Sequence, residues 1–363
     1  MRIGCISDVT MGYGSPQIGL LLESLAGRYQ AEILVVEPSI PALAPRHNRF
    51  PRFRMRSGHT AFHPHTAVGR IEYVLEAARI IDEWAPDLLV ICCTFSLPVL
   101  FKLRRRPGYV IYYSYESIPH YGEFDVEMNR HLARRIDLIV FPEENRAALE
   151  IGRCRFGDVP KLVLYNCPRR TDRLPLPREE RSGRLIYAGM IDAVETYADY
   201  YAKLPAGKYP IDLYGPIRAP SEDERKTLRS RLENSVGYCG YIGSGELAEV
   251  RRHYIYSLVM WNPGSENQLY AAPNKFFESI AEGVPPLSAP HPQCKKIVEG
   301  YGCGVLMSDW SDTALLAGLD RALSLYRTNQ WDAMVSKCQA AFVEELNWER
   351  QFEKLELHLT RQP

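Results

Sequence analysis

In the stretch AAPNKFFESIAEGVPPLSAPHPQ, residues 271–293, an amide, a cation and a carboxylate fall within five residues: Asn274, Lys275 and Glu278. The apolar spacing predicts a helix here, with Pro273 at its first position. Asn274 and Lys275 then lie in the first turn, where backbone N–H groups lack partners inside the helix. Free amides at the positive end of a helix dipole form an anion site, and Lys275 adds a full charge to it. Glu278 lies three and four residues further on, on the same side of the helix. A carboxylate cannot hold phosphate, but it accepts two hydrogen bonds from a vicinal diol such as a ribose. The trio therefore suits a nucleoside diphosphate. A plain amphipathic helix with a polar wet face is the competing reading.

Two other stretches carry chemistry. YSYESIPHYGEFD, residues 113–125, follows an apolar run and is crowded with polar aromatics. Glu116 and His120 are the candidate catalytic groups there, and a carboxylate at Glu116 could act on an acceptor hydroxyl. A surface loop with Glu116 hydrogen-bonded locally is the alternative. PRHNRFPRFRMRSGHTAFHPHTAVGR, residues 45–70, holds Arg46, Arg49, Arg52, Arg54, Arg56 and Arg70, with no acid before Glu72. We read it as a long basic loop that holds an anionic acceptor such as a phosphorylated lipid, lies on an anionic membrane, or is simply solvated. His59, His63 and His65 match metal spacing only loosely, so no metal site is expected. Lys102, Arg104, Arg105 and Arg106 are expected to cap the C-terminal end of a helix begun near Ser96. No arrangement for a serine or cysteine nucleophile is apparent.

The elements that position these residues alternate along the chain. Apolar strands are predicted at 2–7, 31–37, 87–93, 109–115 and 138–141, with helices at 16–29 and 67–84. Ser15 is expected to cap the first helix, with Pro16 in its first turn. PRRTDRLPLPREERSG, residues 168–183, is rich in proline and charge and reads as a linker. Strands then resume at 184–190, 211–215, 236–242, 257–262, 285–290 and 304–308. The pattern is α/β throughout, with parallel sheets covered by helices. A chain of 363 residues suits two such domains.

Composition narrows the partners. Lys+Arg and Asp+Glu both number 44, which argues against nucleic acid as a partner. Nine scattered cysteines with no framework spacing suggest a reducing compartment. The N-terminus MRIGCISDV shows no apolar leader, and no run of ~18 apolar residues is present. A cytoplasmic protein is expected, with peripheral contact at the inner membrane face through the 45–70 stretch.

The segment from Asn274 to Asp309 resembles the C-domain signature of GT-B glycosyltransferases of the GT4 type (glycosyl transferases group 1). The matching positions are Glu278, then Ala281-Glu282-Gly283-Val284-Pro285, Lys296-Ile297-Val298 and Gly302-Cys303-Gly304-Val305. Upstream, Asn262-Pro263, GYIGSGELAEV (240–250) and LIYAGMID (185–192) are similar to the same family, as is NWERQFEKLELHL (347–359). The likeness covers most of residues 184–363 and, more weakly, the N-terminal half. It implies a GT-B fold, two Rossmann-like domains facing each other across a cleft. Residues 1–170 would form the acceptor-side domain and 171–183 the linker. Residues 184–344 would form the nucleotide-sugar domain, with a helix at 345–363 returning to the first.

What the resemblance implies for function is a retaining transferase that moves a sugar from a nucleotide diphosphate sugar to a hydroxyl acceptor. The acceptor would be a saccharide, a lipid-linked saccharide or a small natural product. The expected donor contacts are Glu278 at the ribose, with Asn274, Lys275 and Phe276 beside it near the diphosphate. Gly12 and Gly14 match the family's glycine-containing loop after the first strand and would be donor-binding, their backbone approaching the donor phosphates or the acceptor, and Glu116 and His120 would lie at the end of the first domain where the family places acceptor and reaction-centre groups. No metal or other cofactor is expected.

Two departures qualify the likeness. The family usually carries a second acid eight residues before the glutamate, where this chain has Tyr270. Backbone amides in 264–270 would then hold the transferred sugar, with Gly264 allowing close approach. The family also often places an arginine and a lysine on the diphosphate where this chain has Met190 and Thr196. Each charge-assisted contact of that kind contributes roughly 1.5–3 kcal/mol. Lys275 or Arg218 is the expected replacement. The departure keeps two alternatives in play: a non-catalytic GT-B subunit that scaffolds a partner enzyme, and a sugar-nucleotide epimerase.

Overall fold

The computed structural model describes residues 1–40, 42–118 and 123–360. The chain divides into two compact units, residues 1–165 with 352–363, and residues 166–351.

The first unit holds a seven-stranded parallel sheet. Its strands are β1 (Arg2–Ile6), β2 (Glu32–Pro38), β3 (Phe53–Gly58), β4 (Leu88–Cys92), β5 (Tyr109–Tyr113), β6 (Leu138–Phe141) and β7 (Lys161–Val163). They lie in the order β3-β2-β1-β4-β5-β6-β7. Parallel strands are covered on both faces, so they read as unbroken apolar runs rather than as alternation. LLVIC in β4 and LIVF in β6 are buried at every position. Helices Pro16–Tyr29 and Ala67–Trp84 supply two of the crossovers. The strand order reverses between β1 and β4, so the loops leaving their C-terminal ends diverge and open a crevice.

The second unit repeats the scheme. Its strands are β8 (Leu185–Ala188), β9 (Ile191–Asp192), β10 (Ile211–Tyr214), β11 (Ile217–Arg218), β12 (Gly237–Gly240), β13 (Tyr256–Val259), β14 (Pro286–Ser288) and β15 (Val305–Leu306). Six pair in parallel in the order β12-β10-β8-β13-β14-β15, and β9 with β11 forms a small ladder. The reversal here falls between β8 and β13. Leu185, Leu213, Leu258 and Leu287 anchor a core capped by Trp331, whose indole N–H donates to the carbonyl of Ile255.

Four expectations need correction. The 45–70 stretch is not a continuous loop. It contains a 3₁₀ turn at His47–Arg49 and the edge strand β3, which pairs with β2 from Phe53 to Gly58. Phe53 is buried while Arg54 and Arg56 point outward, and charged side chains of this kind blunt a sheet edge. The segment after β4 is a short α turn, Cys93–Ser96, running into a 3₁₀ turn, Leu97–Phe101, rather than a helix begun at Ser96. Ser15 adopts a left-handed conformation, φ 48°, and its side chain caps nothing. Pro273 is the N-cap of its helix, which runs Asn274–Ala281.

Candidate functional site

The loops at the β8/β13 switch point converge on Lys275. Gly189 follows β8, Trp261 follows β13, and Tyr187 projects from β8 itself. The Lys275 ammonium lies 4.0 Å above the Tyr187 ring centroid and 4.5 Å from that of Trp261. Two aromatic faces of this kind attract a cation in a partly dry site. Gly189 takes φ +149°, which favours glycine, and a Cβ there would stand 2.7 Å from Lys275 Nζ and displace the ammonium. Burial pushes the Lys275 pKa down to about 7, with repulsion from Arg251 adding to the effect and attraction from Glu278 opposing it.

Glu278 sits one helical turn from Lys275 and is over a third exposed. Sequence reasoning missed its partner. Arg251, at the end of helix Ser244–Arg251, is almost wholly buried and donates to Glu278 Oε2 at 2.9 Å. The same guanidinium donates to both oxygens of Glu282, at 3.0 and 3.1 Å. Burial lifts the Glu282 pKa to about 8, with Arg251 holding it down and Glu278 pushing the same way as burial. Glu278 is therefore a carboxylate oriented by a fixed cation, which suits it to accept from a diol. It lines a hollow of about 500 Å³ with Leu247, Ala248, Ala281 and the Arg169, Thr171, Arg173 and Leu174 segment. That volume lies within the usual range for small-ligand sites.

The remaining expected residues are placed as follows. Asn274 opens the helix, whose first turn holds no acid. Phe276 is fully buried, packed edge-on against Phe277, so it supports the helix from the core and is not a ligand contact. Gly264 is exposed. The amides of Gln268, Leu269 and Tyr270 are satisfied inside the turn Glu266–Leu269, which removes them as sugar donors. Arg218 donates to Asp192 at 3.1 Å and pairs with Glu195, so its charge is already matched. Thr196 is buried, exchanging hydrogen bonds with the backbone of Asp192, while Met190 is exposed. Lys275 remains as a cation at the second unit's switch point, with Arg251 close enough to repel it.

In the first unit, Gly12 takes φ +87° against Arg46, and Gly14 faces open space. Glu116 follows β5, half-buried. His120 lies outside the described residues. His63 and His65 stack edge to face. Among the described residues no three His, Cys, Asp or Glu side chains gather as a metal site would need. No described helix is long and apolar enough to cross a membrane.

Comparison with solved structures settles the architecture. The chain superposes over its whole length on Anabaena HepE in complex with UDP and glucose, with TM-score 0.73 and 15% identity, covering 100% of both chains. It is similar to the lipopolysaccharide outer core galactosyltransferase WaaB, TM-score 0.70 and 14% identity, covering 99% of each chain. Sucrose-phosphate synthase from Thermosynechococcus elongatus gives TM-score 0.70 at 16% identity, over 99% of this chain and 98% of that one. The fold is GT-B. No family model matches the sequence, and no curated protein does. At these identities the likeness is one of fold. Within that frame the residues between β13 and β14, Trp261 to Glu278, occupy the second unit's switch point.

Proposed function

We propose that the protein is a retaining glycosyltransferase of the GT4 kind, which moves a sugar from a nucleoside diphosphate sugar to a hydroxyl acceptor. One observation carries the reading: a part-buried ammonium and an oriented carboxylate, Lys275 and Glu278, stand one turn apart on a helix start at the sheet's switch point. Phosphate at the ammonium and ribose at the carboxylate satisfy both. HepE, of the same fold, was solved with UDP and glucose bound. The helix start and Lys275 stabilise the leaving diphosphate, so the transfer needs no metal. The diphosphate itself takes the acceptor proton on the same face, and Glu116, in the segment after β5, is the candidate to act on the acceptor hydroxyl.

A second reading, a non-catalytic subunit, is favoured by Met190 and Thr196, which give the diphosphate no cation. The two differ in turnover. Incubated with nucleotide sugars and no acceptor, the transferase hydrolyses its donor slowly, and proton NMR shows the released sugar with the donor's anomeric configuration. Absence of any hydrolysis, with nucleotide still bound, favours the non-catalytic reading. Release of an isomerised nucleotide sugar points to an epimerase.

The state of Lys275 gives a pH dependence. Its pKa of about 7 applies to the free protein. A bound diphosphate favours the charged form and raises that value. Above pH 7, binding therefore takes up a proton, and affinity falls by up to about tenfold per pH unit as the proton must be supplied. Below pH 7 this contribution is flat. Calorimetry in two buffers of different ionisation enthalpy counts the proton. Lys275→Met is expected to weaken nucleoside diphosphate binding at pH 7 by roughly tenfold to a hundredfold and to abolish the uptake.

A further inference from the structure

The first unit holds a buried carboxyl group that the transferase reading does not use. Glu150, on the helix Glu144–Cys154, is fully buried, and Arg146, one turn before it, is 3% exposed. A polar group withdrawn from water is costly unless hydrogen bonds replace its hydration, so its partners show what it holds. Glu150 Oε1 accepts from the amide of Ile118 at 2.8 Å, and Oε2 from the hydroxyl of Ser114 at 3.4 Å. Ser117 bonds to the same carboxyl group. Arg146 donates to the carbonyl of Tyr115. All of these partners lie in the five residues after β5, and the whole arrangement belongs to the first unit.

Glu143 is equally buried, but its carboxyl group caps its own helix by accepting from the Arg146 amide. The bonds of Glu150 reach 32 and 36 residues back along the chain instead. They converge on a segment that is tied at other points too. The Ser114 amide donates to the carbonyl of Val140 at 2.9 Å, and the Tyr115 hydroxyl donates to Asp8. Ser114 Oγ also lies 3.3 Å from the carbonyl oxygen of Glu116. Ser114, Tyr115, Ser117 and Ile118 are buried, while Glu116 in their midst is half-buried. One helix therefore fixes the backbone before Glu116, at Tyr115, and after it, at Ile118.

We propose that Glu150 and Arg146 are positioning residues, which set the backbone on both sides of Glu116 and so aim its carboxylate at the acceptor hydroxyl. This rests on the transferase reading, with Glu116 as its acceptor-side group. A group that acts on a reacting hydroxyl loses up to about a hundredfold in rate when it is displaced by an ångström, so the residues that lock its segment act on turnover without touching substrate.

The test is hydrolysis with water as the acceptor and UDP-, GDP-, ADP- and dTDP-glucose as donors. Wild type is compared with Glu150→Ala, Glu150→Gln, Glu116→Gln and the double variant of Glu116→Gln with Glu150→Ala. Glu150→Ala is expected to lower kcat roughly tenfold with donor KM unchanged. Glu150→Gln keeps an oxygen for the Ile118 amide and lowers kcat less. In the Glu116→Gln background Glu150→Ala has no further effect, because a residue acting through Glu116 has nothing left to aim. If Glu150→Ala does not fold, Glu150→Gln takes its place in the same cycle. Hydrogen exchange of the peptide spanning 113–118 needs no turnover, and it is expected to speed up in Glu150→Ala. Unchanged exchange overturns the proposal, as does an unchanged kcat or an equal loss with and without Glu116. Faster exchange in the variant of a protein that hydrolyses none of the donors overturns the transferase reading, and the positioning role with it, leaving a clamp that serves the fold alone.

Discussion

Arg251→Ala is expected to cost about 3–5 kcal/mol of stability, because it strands carboxylates that were arranged around one cation. The Arg251 side chain is 2% exposed and that of Glu282 is 14% exposed, so water replaces little of the lost interaction. Glu278 is more open and contributes less to the loss. The sign of the pH dependence follows from Glu282. Its folded pKa, already raised to about 8, rises further once Arg251 is gone, so the folded state binds a proton that the unfolded state releases. Stability of the variant therefore falls as pH rises from the ordinary carboxylate range towards and beyond 8. Urea midpoints across that range measure it. Pairing Arg251→Met with Glu282→Gln replaces the two buried partners together and should recover much of the loss. Nucleotide affinity remains reduced in that double variant, because Glu278 no longer has the partner that aims it.

Gly215→Ala is expected to be at least as damaging, about 4 kcal/mol or more. Gly215 follows β10 at φ +143°, and a Cβ there would fall 1.7 Å from the carbonyl oxygen of Gly189. No rotamer change relieves a clash with backbone. The Gly189 amide donates to the carbonyl of Tyr214, and the Gly215 amide to that of Gly240, so the three strand ends are tied together at this point. The substitution forces β8 and β10 apart at their C-terminal ends and drags Gly189 away from Lys275. The expected outcome is poor soluble yield, or an early denaturation phase assigned to the second unit. Gly14→Ala is the control, since nothing lies within 4 Å of a Cβ there and its φ is not left-handed. Similar midpoints for the two variants would contradict the account of this backbone contact.

The sequence makes some of these features legible and hides others, for physical reasons. ILVV in β2, LLVIC in β4 and LIVF in β6 announce buried parallel strands because both faces need apolar side chains. The helix that carries Lys275 and Glu278 is legible because its chemistry is local, packed into one turn. Arg251 is not, because its carboxylates lie 27 and 31 residues further on. As the last residue of a helix, it reads as a solvated cation. β3 is hidden because FRMRSG is an edge strand whose outward face is arginine, so composition argues for a loop while alternation argues for a strand. The close approach of Gly189 and Gly215 needs two strand ends brought together, and a glycine after each strand is all the sequence shows. Arg218 illustrates the opposite failure. It sits near the expected diphosphate position in sequence, but Asp192 and Glu195 already take its charge.

The central claim is that Lys275 and Glu278 form a nucleoside diphosphate site, and calorimetric titration with UDP, GDP, ADP and dTDP tests it most directly. The account predicts that one of the four binds wild type with a micromolar Kd and that Glu278→Ala and Lys275→Met each weaken it at least about tenfold. Binding of none of them, or binding that both substitutions leave untouched, would contradict it.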